Sequence, residues 1–375
     1  MATVNIKDLL ILSCIPGIGH NRLRSLVTHF KNSTDALNSS AREIINIEGF
    51  NKKLAVTVSA FKKSGNYHKA EQYAVHQLSK MNKSEGGIIT FWDDEYPDLL
   101  KKIYDPPCYL FIKGNFKKED KYSIAIVGTR NPSTYGVTMA EKFTQELARL
   151  GITIVSGLAR GVDSVAHSSA LKVGGRTIGV LGSGIDVIYP PENKNLYSRI
   201  AQNGGVISEY AMGTKPDAGN FPRRNRIVSG MTLGTIIIET GIDGGAMITA
   251  NTALDQNRDV FAIPGLITEV RALGCNTLIR DGRAKLITTV DDVLSELSAK
   301  LKPLLREVTK HEKKIDVSLS LFEKKIYDTL DDEPIHIDLL AEKSGMPTSD
   351  ALVNLLSLEF KGLVRQLPGK MFVRL

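Results

Sequence analysis

The chain has 375 residues, of which 42% are hydrophobic and 24% charged, with a formal net charge of +7. This balance excludes a disordered chain and is too long for one small domain, so two or three domains are expected. The mild basic excess admits a polyanionic partner and equally suits an ordinary basic protein.

Residues 1–80 read as an all-helical domain, with apolar residues at helical spacing in IKDLLILSCI, NRLRSLVTHF and KKLAVTVSAF. The start, MATVNIKDLLILSC, lacks a small-residue cleavage site and reads as a first amphipathic helix. No apolar run approaches membrane-spanning length. Cys14, Cys108 and Cys275 are scattered without CxxC spacing, so neither a disulfide framework nor a zinc site is expected, and a reducing cytosol fits. PGIGH, Pro16 to His20, is a tight helix–helix turn that needs glycine, or else a hairpin whose N–H groups hold a phosphate. Arg22 and Arg24 follow it as candidates for weak contacts to nucleic acid.

Residues 81–298 form the second expected domain. After a strand, loop and hairpin between Ile88 and Gly114, apolar β-rich runs alternate with helical patterns: YSIAIVG, ITIVSG, TIGVLGSG, GVISEY, GTIIIET and DVFAIPG. Short continuous apolar runs separated by helix-length segments predict a doubly wound, mostly parallel α/β sheet, with its site at the carboxyl ends of the strands. Residues 299–316 fade into a charged linker. Residues 317–375 read helix, helix, turn, helix, hairpin, which is the pattern of a winged helix. The candidate recognition helix, Ser349 to Lys361, carries Asp350, Asn354, Ser357 and Glu359 and ends on its one basic residue, Lys361. Such a face is unsuited to reading a duplex, so protein contacts or regulation are expected of it.

The chemistry-bearing residues cluster at the predicted strand ends. IVGTRNPSTYG places Gly128, Thr129 and Arg130 directly after a strand, and VSGLARGVDSVAH repeats the design with Ser156, Gly157 and Arg160. Glycine admits close approach of an anion, a helix N-terminus favours it, and arginine grips it in two places. LGSGIDVIYPPENKNLY adds Gly182, Ser183, Gly184 and Lys194, and ETGIDGGAMITA adds Gly244 and Gly245. GNFPRRNRIVSG concentrates Asn220, Phe221, Arg223, Arg224, Asn225 and Arg226 behind a stiffening Pro222. Phe221 is a candidate for base stacking, and Ile227 and Val228 are expected to turn inward as the first apolar turn of the next helix. Together these loops predict one large electropositive groove.

The absences constrain the function. No GxxxxGK[ST] is present, the dinucleotide fingerprint is incomplete, and no carboxylate cluster suits a two-metal nuclease. Asp163 and His167 lie four apart and read as a capping carboxylate and a packed imidazole. Glu239 closes a strand before a Gly-rich loop, either as a catalytic carboxylate or, preferred, as a group that orients neighbouring arginines.

VGTRNPSTYG, SGLARGVDSVAH, LGSGIDVIYPPEN, GNFPRRNRIVSG and GCNTLIRDG resemble, in order and spacing, the DNA-processing protein A family (DprA, also called Smf). The resemblance implies an extended Rossmann-like domain flanked by an N-terminal SAM-like domain and a C-terminal winged helix. It also implies a cytoplasmic homodimer that binds single-stranded DNA without catalysis, protects incoming strands during natural transformation and loads the recombinase RecA. No cofactor, metal or membrane is expected. The matching site positions are Arg130, Ser156 to Arg160, Lys194 and Asn220 to Arg226, beside the Gly128 and Thr129 already read from the loop itself. The alternative from another class is a nucleotide-processing enzyme, such as a nucleoside-monophosphate phosphoribohydrolase, with Glu239 as acid–base.

Overall fold

Short strands whose residues alternate between two apolar faces form the centre of the larger of two units. The structure, a computed structural model, describes residues 3–304, 319–330, 334–361 and 363–374. The units are Met1–Val308 and Thr309–Leu375. The nine strands of the first are β1 (Gly87–Thr90), β2 (Tyr109–Gly114), β3 (Ser123–Val127), β4 (Thr153–Ser156), β5 (Thr177–Val180), β6 (Gly205–Ser208), β7 (Gly234–Ile237), β8 (Asp259–Ala262) and β9 (Lys285–Leu286). They lie in the order β1-β2-β6-β5-β4-β3-β7-β8-β9. From β6 to β9 all pairings are parallel, and β2 and β1 join antiparallel at one edge.

Every residue of β3 to β7 is buried, as a sheet covered on both faces requires. The six helices of residues 6–83 are α1 (Ile6–Ser13), α2 (His20–Phe30), α3 (Ser33–Asn38), α4 (Ala41–Ile44), α5 (Lys52–Phe61) and α6 (Asn66–Lys83). Further along come α7 (Asp98–Lys101), α8 (Thr134–Arg149), α9 (Val162–Lys172), α10 (Lys194–Asn203), α11 (Asn220–Gly230), α12 (Gly245–Asp255), α13 (Leu273–Arg280) and α14 (Val290–Glu296). Ala125 and Val127 point to a core shared with Ile227 and Val228 of α11 and Ala246 and Ala250 of α12. Ile124 and Ile126 point to the opposite core, with Phe143 of α8 and Ala166 of α9. The chain steps outward from β3 to β6 and then returns to β7 on the other side of β3. This reversal opens a crevice at the carboxyl ends of β3, β4 and β7.

Two boundaries differ from the sequence reading. The N-terminal helices share one core with Cys108, Tyr109 and Phe111 of the β2 region. Alternation along β2 sends Leu110 and Ile112 to the sheet core instead, so one strand serves both. The helical domain therefore belongs to the same unit as the sheet. In PGIGH, Gly17 has φ +87° and Arg22 donates to the carbonyls of Gly17 (2.8 Å) and Gly49 (3.0 Å). Arg24 donates to Pro106 O at 3.0 Å. The turn reading holds there, and both arginines are spent on backbone carbonyls. At the far end, residues 298–304 are helical, with Leu301 and Leu304 buried in the core that contains Phe143. The described part of the expected linker is thus packed structure, because its two leucines sit on one helical face. Residues 305–316 of that linker lie outside the described residues.

The second unit contains α15 (Leu321–Thr329), α16 (Ile337–Ser344) and α17 (Thr348–Phe360). Its three strands are β10 (Ile335–His336), β11 (Val364–Leu367) and β12 (Met371–Arg374), in the order β10-β12-β11. Ser320 and Glu323 form a reciprocal capping box at the start of α15. Ile326, Leu340, Leu355 and Phe372 fill the core between helices and hairpin. The exposed face of α17 carries Leu352, Val353, Leu356 and Phe360.

Leu301→Ala tests the boundary. If the helix of residues 298–304 is part of the core, the variant loses about 2–5 kcal/mol in urea unfolding. A loss below about 0.5 kcal/mol, the range of surface substitutions, would return the segment to the linker.

Candidate nucleic-acid interface

The loops after β3, β4, β5 and β7 meet over the crevice because backbone bonds hold them. After β3, Thr129 donates its N–H to Glu239 O at 2.7 Å and accepts from Val162 N at 3.2 Å, which ties three loops together. Arg130, next in the chain, is exposed. Its guanidinium carbon lies over the Phe221 ring, 5.7 Å from the centroid. The Tyr189 and Phe221 ring centroids lie 5.7 Å apart. Arg130, Arg160, Gly182, Ser183, Tyr189, Phe221 and Arg224 border one concavity. A second cavity of about 700 Å³ adjoins it, bordered by Gly128, Thr129, Asp163, Asn225, Thr240, Gly244 and Gly245, and by Arg130, Phe221 and Arg224 again.

The basic run splits by depth. Asn220–Gly230 is one helix, α11, so Phe221, Pro222 and the arginines lie within it and not ahead of a helix beginning at Ile227. Proline is tolerated there because the first-turn N–H groups have no intrahelical acceptor. Arg224 is 4% exposed. Its Nη1 donates to the carbonyls of Gly157 and Val180, at the ends of β4 and β5. Burial holds its pKa down to about 10, with Asp163 opposing, so it stays charged at neutral pH. Arg226 donates to Asp105 O at 2.6 Å and pairs with the buried Glu209. Arg223 is exposed, Asn220 is half-buried at the head of α11, and Asn225 faces the larger cavity.

Other expected site residues divide in the same way. Ser156 is fully buried and donates to Ile126 O at 2.7 Å, so its hydroxyl is structural. Gly157 is glycine for packing, since a Cβ there would collide with the Arg224 guanidinium. At Gly182 a Cβ would stand 2.9 Å from the Phe221 ring, so that glycine seats the aromatic. Arg160 is exposed and paired with exposed Glu192. Lys194 is exposed at the start of α10 and borders neither cavity. Tyr189 was not among the expected site residues, although it stands inside the quoted VIYPPEN run. Its signal was an aromatic just before two prolines at a strand-end loop.

The carboxylates and histidine serve the scaffold. Asp163 accepts from Gly157 N (3.1 Å) and Ala159 N (3.4 Å). Burial raises its pKa, and Arg224 opposes the rise. Glu239 accepts from Ser133 N (2.9 Å) and Ser133 Oγ (2.5 Å), while Ser133 caps α8 through Gly136 N. It therefore orients a helix-capping serine, in place of the arginines expected of it. His167 Nδ1 lies 2.6 Å from Thr177 Oγ1, whose hydroxyl donates to Ile154 O. Nδ1 must then carry the imidazole proton, which leaves buried Nε2 without a partner. Among the described residues no cluster of three His, Cys, Asp or Glu could hold a metal ion.

Residues 87–298 match the family model for DNA recombination-mediator protein A, and residues 316–370 match the DprA winged helix domain. Protein Smf of Synechocystis sp. is 33% identical over an alignment covering 96% of this chain and 97% of that protein. DNA processing protein A (DprA) of Streptococcus pneumoniae aligns in structure with a TM-score of 0.66 at 34% identity, covering 79% of this chain and 99% of that one. DNA processing protein A of Helicobacter pylori, solved for its single-stranded DNA binding mode, gives 0.53 at 31% identity, covering 58% of this chain and 97% of that one.

Two stability measurements test the division by depth. Arg224→Ala leaves two buried carbonyls and Asp163 uncompensated and costs about 3–5 kcal/mol, whereas Arg223→Ala stays within about 0.5 kcal/mol. Equal losses would contradict the assignment. His167 has its pKa lowered by burial from 6.5 to about 3. A depressed histidine contributes stability in full above its unfolded value and loses it as the pH falls through 6.5 toward the folded value. The parent should therefore lose stability relative to His167→Gln on acidification below 6.5, by up to about 1.4 kcal/mol per pH unit. A pH-independent difference between the two would refute a neutral, buried His167.

Proposed function

The chain belongs to the DNA recombination-mediator protein A family, and on that premise we propose that it binds single-stranded DNA in the crevice, protects incoming strands and loads RecA during natural transformation. The observation that carries this reading is the Arg130–Phe221–Tyr189 assembly at the carboxyl edge of the sheet. Arg130 and Arg160 supply exposed guanidinium groups for phosphate oxygens, and the two rings offer faces for bases. Such contacts position a strand without reading its sequence. Arg160 exchanges Glu192 for a phosphate at little cost, because an exposed ion pair contributes only about 0–1 kcal/mol. Lys194, Asn220 and Arg223 are assigned to the outer rim, while Arg224, Arg226, Ser156 and Gly157 hold the groove in shape.

Partner contacts are assigned to two further surfaces. Leu266, Ile267 and Val270, between β8 and α13, are 76%, 84% and 68% exposed, and such an apolar group suits a homodimer interface. The apolar face of α17 suits a protein partner better than a duplex. We place the protein in the cytoplasm; no helix among the described residues is long and apolar enough to cross a membrane. We read it as a binding protein and not an enzyme. The phosphoribohydrolase alternative needs Glu239 as acid–base, and both oxygens of that carboxylate are committed to Ser133.

Fluorescence anisotropy on oligo-dT tests the groove. Arg130→Ala and Arg160→Ala should each weaken binding roughly tenfold and flatten the log–log salt dependence by about 0.7 per lost phosphate contact. Phe221→Ala should weaken it by about 1–3 kcal/mol. Parent-like affinity in all three would refute the site. In the same preparations Ile267→Asp should turn a dimer into a monomer by sedimentation and slow RecA filament nucleation on coated strands. A monomeric parent at micromolar concentration would refute the dimer.

A further inference from the structure

The net charge of the chain is not spread evenly. Residues 1–83 hold 12 of the 48 basic residues and 5 of the 41 acidic ones, a net of +7. The other 292 residues hold 36 of each, so the N-terminal helices carry the whole excess. Arg22 and Arg24 add little to an outer surface, because both donate to backbone carbonyls. Three of the five acids are committed as well. Glu71 pairs with Lys7, Glu43 closes the capping box of α4, and Asp8 accepts from Thr34 Oγ1 at 2.6 Å.

The uncommitted cations gather on α5. Residues 49–70 hold Lys52, Lys53, Lys62, Lys63 and Lys69 and no acidic residue. All five lysines are exposed, and among the described residues none pairs with a carboxylate. Lys62 donates to Asn38 Oδ1 at 2.6 Å. Lys52, Lys53, Val56 and Ala60 are exposed along one side of α5, and Lys63 continues that side just past the helix end. At helical rise the row runs about 16 Å. Ala55, Val58 and Phe61 on the other side are buried in the core, which holds the row in place.

This row differs in chemistry from the groove, which offers guanidinium forks beside rings. The exposed large apolar side chains of residues 3–83 are Ile45, Val56 and Val75, with no Phe, Tyr or Trp among them. Without a ring there is no platform for unstacked bases, whereas ammonium groups take phosphate charge whatever the base. A duplex keeps its bases stacked inside, carries one charge per about 1.7 Å of axis, and stays straight over this length.

We propose that the N-terminal helical domain binds the backbone of double-stranded DNA through the lysine row of α5, without regard to sequence. The protein then holds a duplex and a single strand at once, the two substrates that recombination joins. This goes beyond the single-strand reading of the groove, and neither site depends on the other.

The discriminating variant is Lys52→Glu, Lys53→Glu and Lys63→Glu made together in the full chain. Glutamate is favoured in the first turn of a helix, where Lys52 and Lys53 lie, so the fold is retained, and an unchanged unfolding midpoint checks this. Glutamine at the same three positions repeats the test without reversing charge. Anisotropy compares a labelled blunt duplex of mixed sequence with oligo-dT at low salt. The parent should bind both, and the duplex should still bind when unlabelled oligo-dT saturates the groove. The triple glutamate variant should weaken duplex binding at least roughly tenfold and flatten its log–log salt dependence by about 2–3, at about 0.9 per lost phosphate contact, with oligo-dT affinity unchanged. Arg130→Ala should do the reverse, weakening oligo-dT and sparing the duplex. A parent that does not bind the duplex would overturn the proposal, as would displacement of the duplex by oligo-dT or parent-like duplex binding in the triple variant. Equal loss of duplex and oligo-dT in that variant would also overturn it, since the row would then belong to the path of the strand. Failure of the groove looks different: Arg130→Ala would keep its oligo-dT affinity while the triple variant still lost the duplex.

Discussion

One buried guanidinium organises the crevice. Arg224 bridges the carbonyls of Gly157 and Val180, which belong to the ends of adjacent strands β4 and β5, and so fixes α11 against the sheet. Phe221 is three residues earlier on the same helical face, and this places its ring on the backbone of Gly182. Arg130 then rests over that ring. Arg223 is turned about a quarter of the helix away and faces solvent. A buried charge therefore sets the position of groups that are exposed to solvent. Two glycines of these loops follow from the same constraint, because side chains at Gly157 or Gly182 would displace the guanidinium or the ring.

Charge balance within the crevice has a similar logic. Arg224 is an expensive group to bury, and its neighbour Asp163 offsets the cost while gathering the N–H groups of Gly157 and Ala159. Each partner opposes the shift that burial imposes on the other. The buried pair contributes little net field. What reaches solvent is the charge of Arg130 and Arg160, on stems that can reorient. This separation keeps the paired charge inside the scaffold and the exposed charge outside it.

The architecture was legible because strands buried on both faces leave continuous apolar runs, and GTIIIET or TIGVLGSG have no other economical reading. The winged helix was legible from the turn MPT and the Pro368-Gly369 hairpin for a similar local reason. The site was legible as a neighbourhood and not residue by residue. Arg223, Arg224 and Arg226 are chemically identical in the sequence, and only helical phase against a particular sheet separates exposed from buried. Glu239 was misassigned to arginines because its partner, Ser133, lies 106 residues away on a loop with no charge to advertise it. The shared core of β2 and the N-terminal helices was hidden too, since Tyr109 and Phe111 read equally well as ordinary sheet residues. The leucines of residues 298–304 were obscured by surrounding lysines, which on a half-buried helix simply occupy the other face.

The distribution of carboxylates explains why a basic crevice need not be uniformly basic. A helix N-terminus draws anions, and a protein that binds a polyanion gains nothing from three competing ends in one crevice. Glu239 and Asp163 occupy two of those ends with the protein's own charge, and in doing so they also fix the loops after β3 and β4. Both roles require the same oxygens, so neither carboxylate is available to a ligand. The groups left uncommitted are Arg130 and Phe221, which border both cavities, and the first turn of α12, which carries no acidic residue.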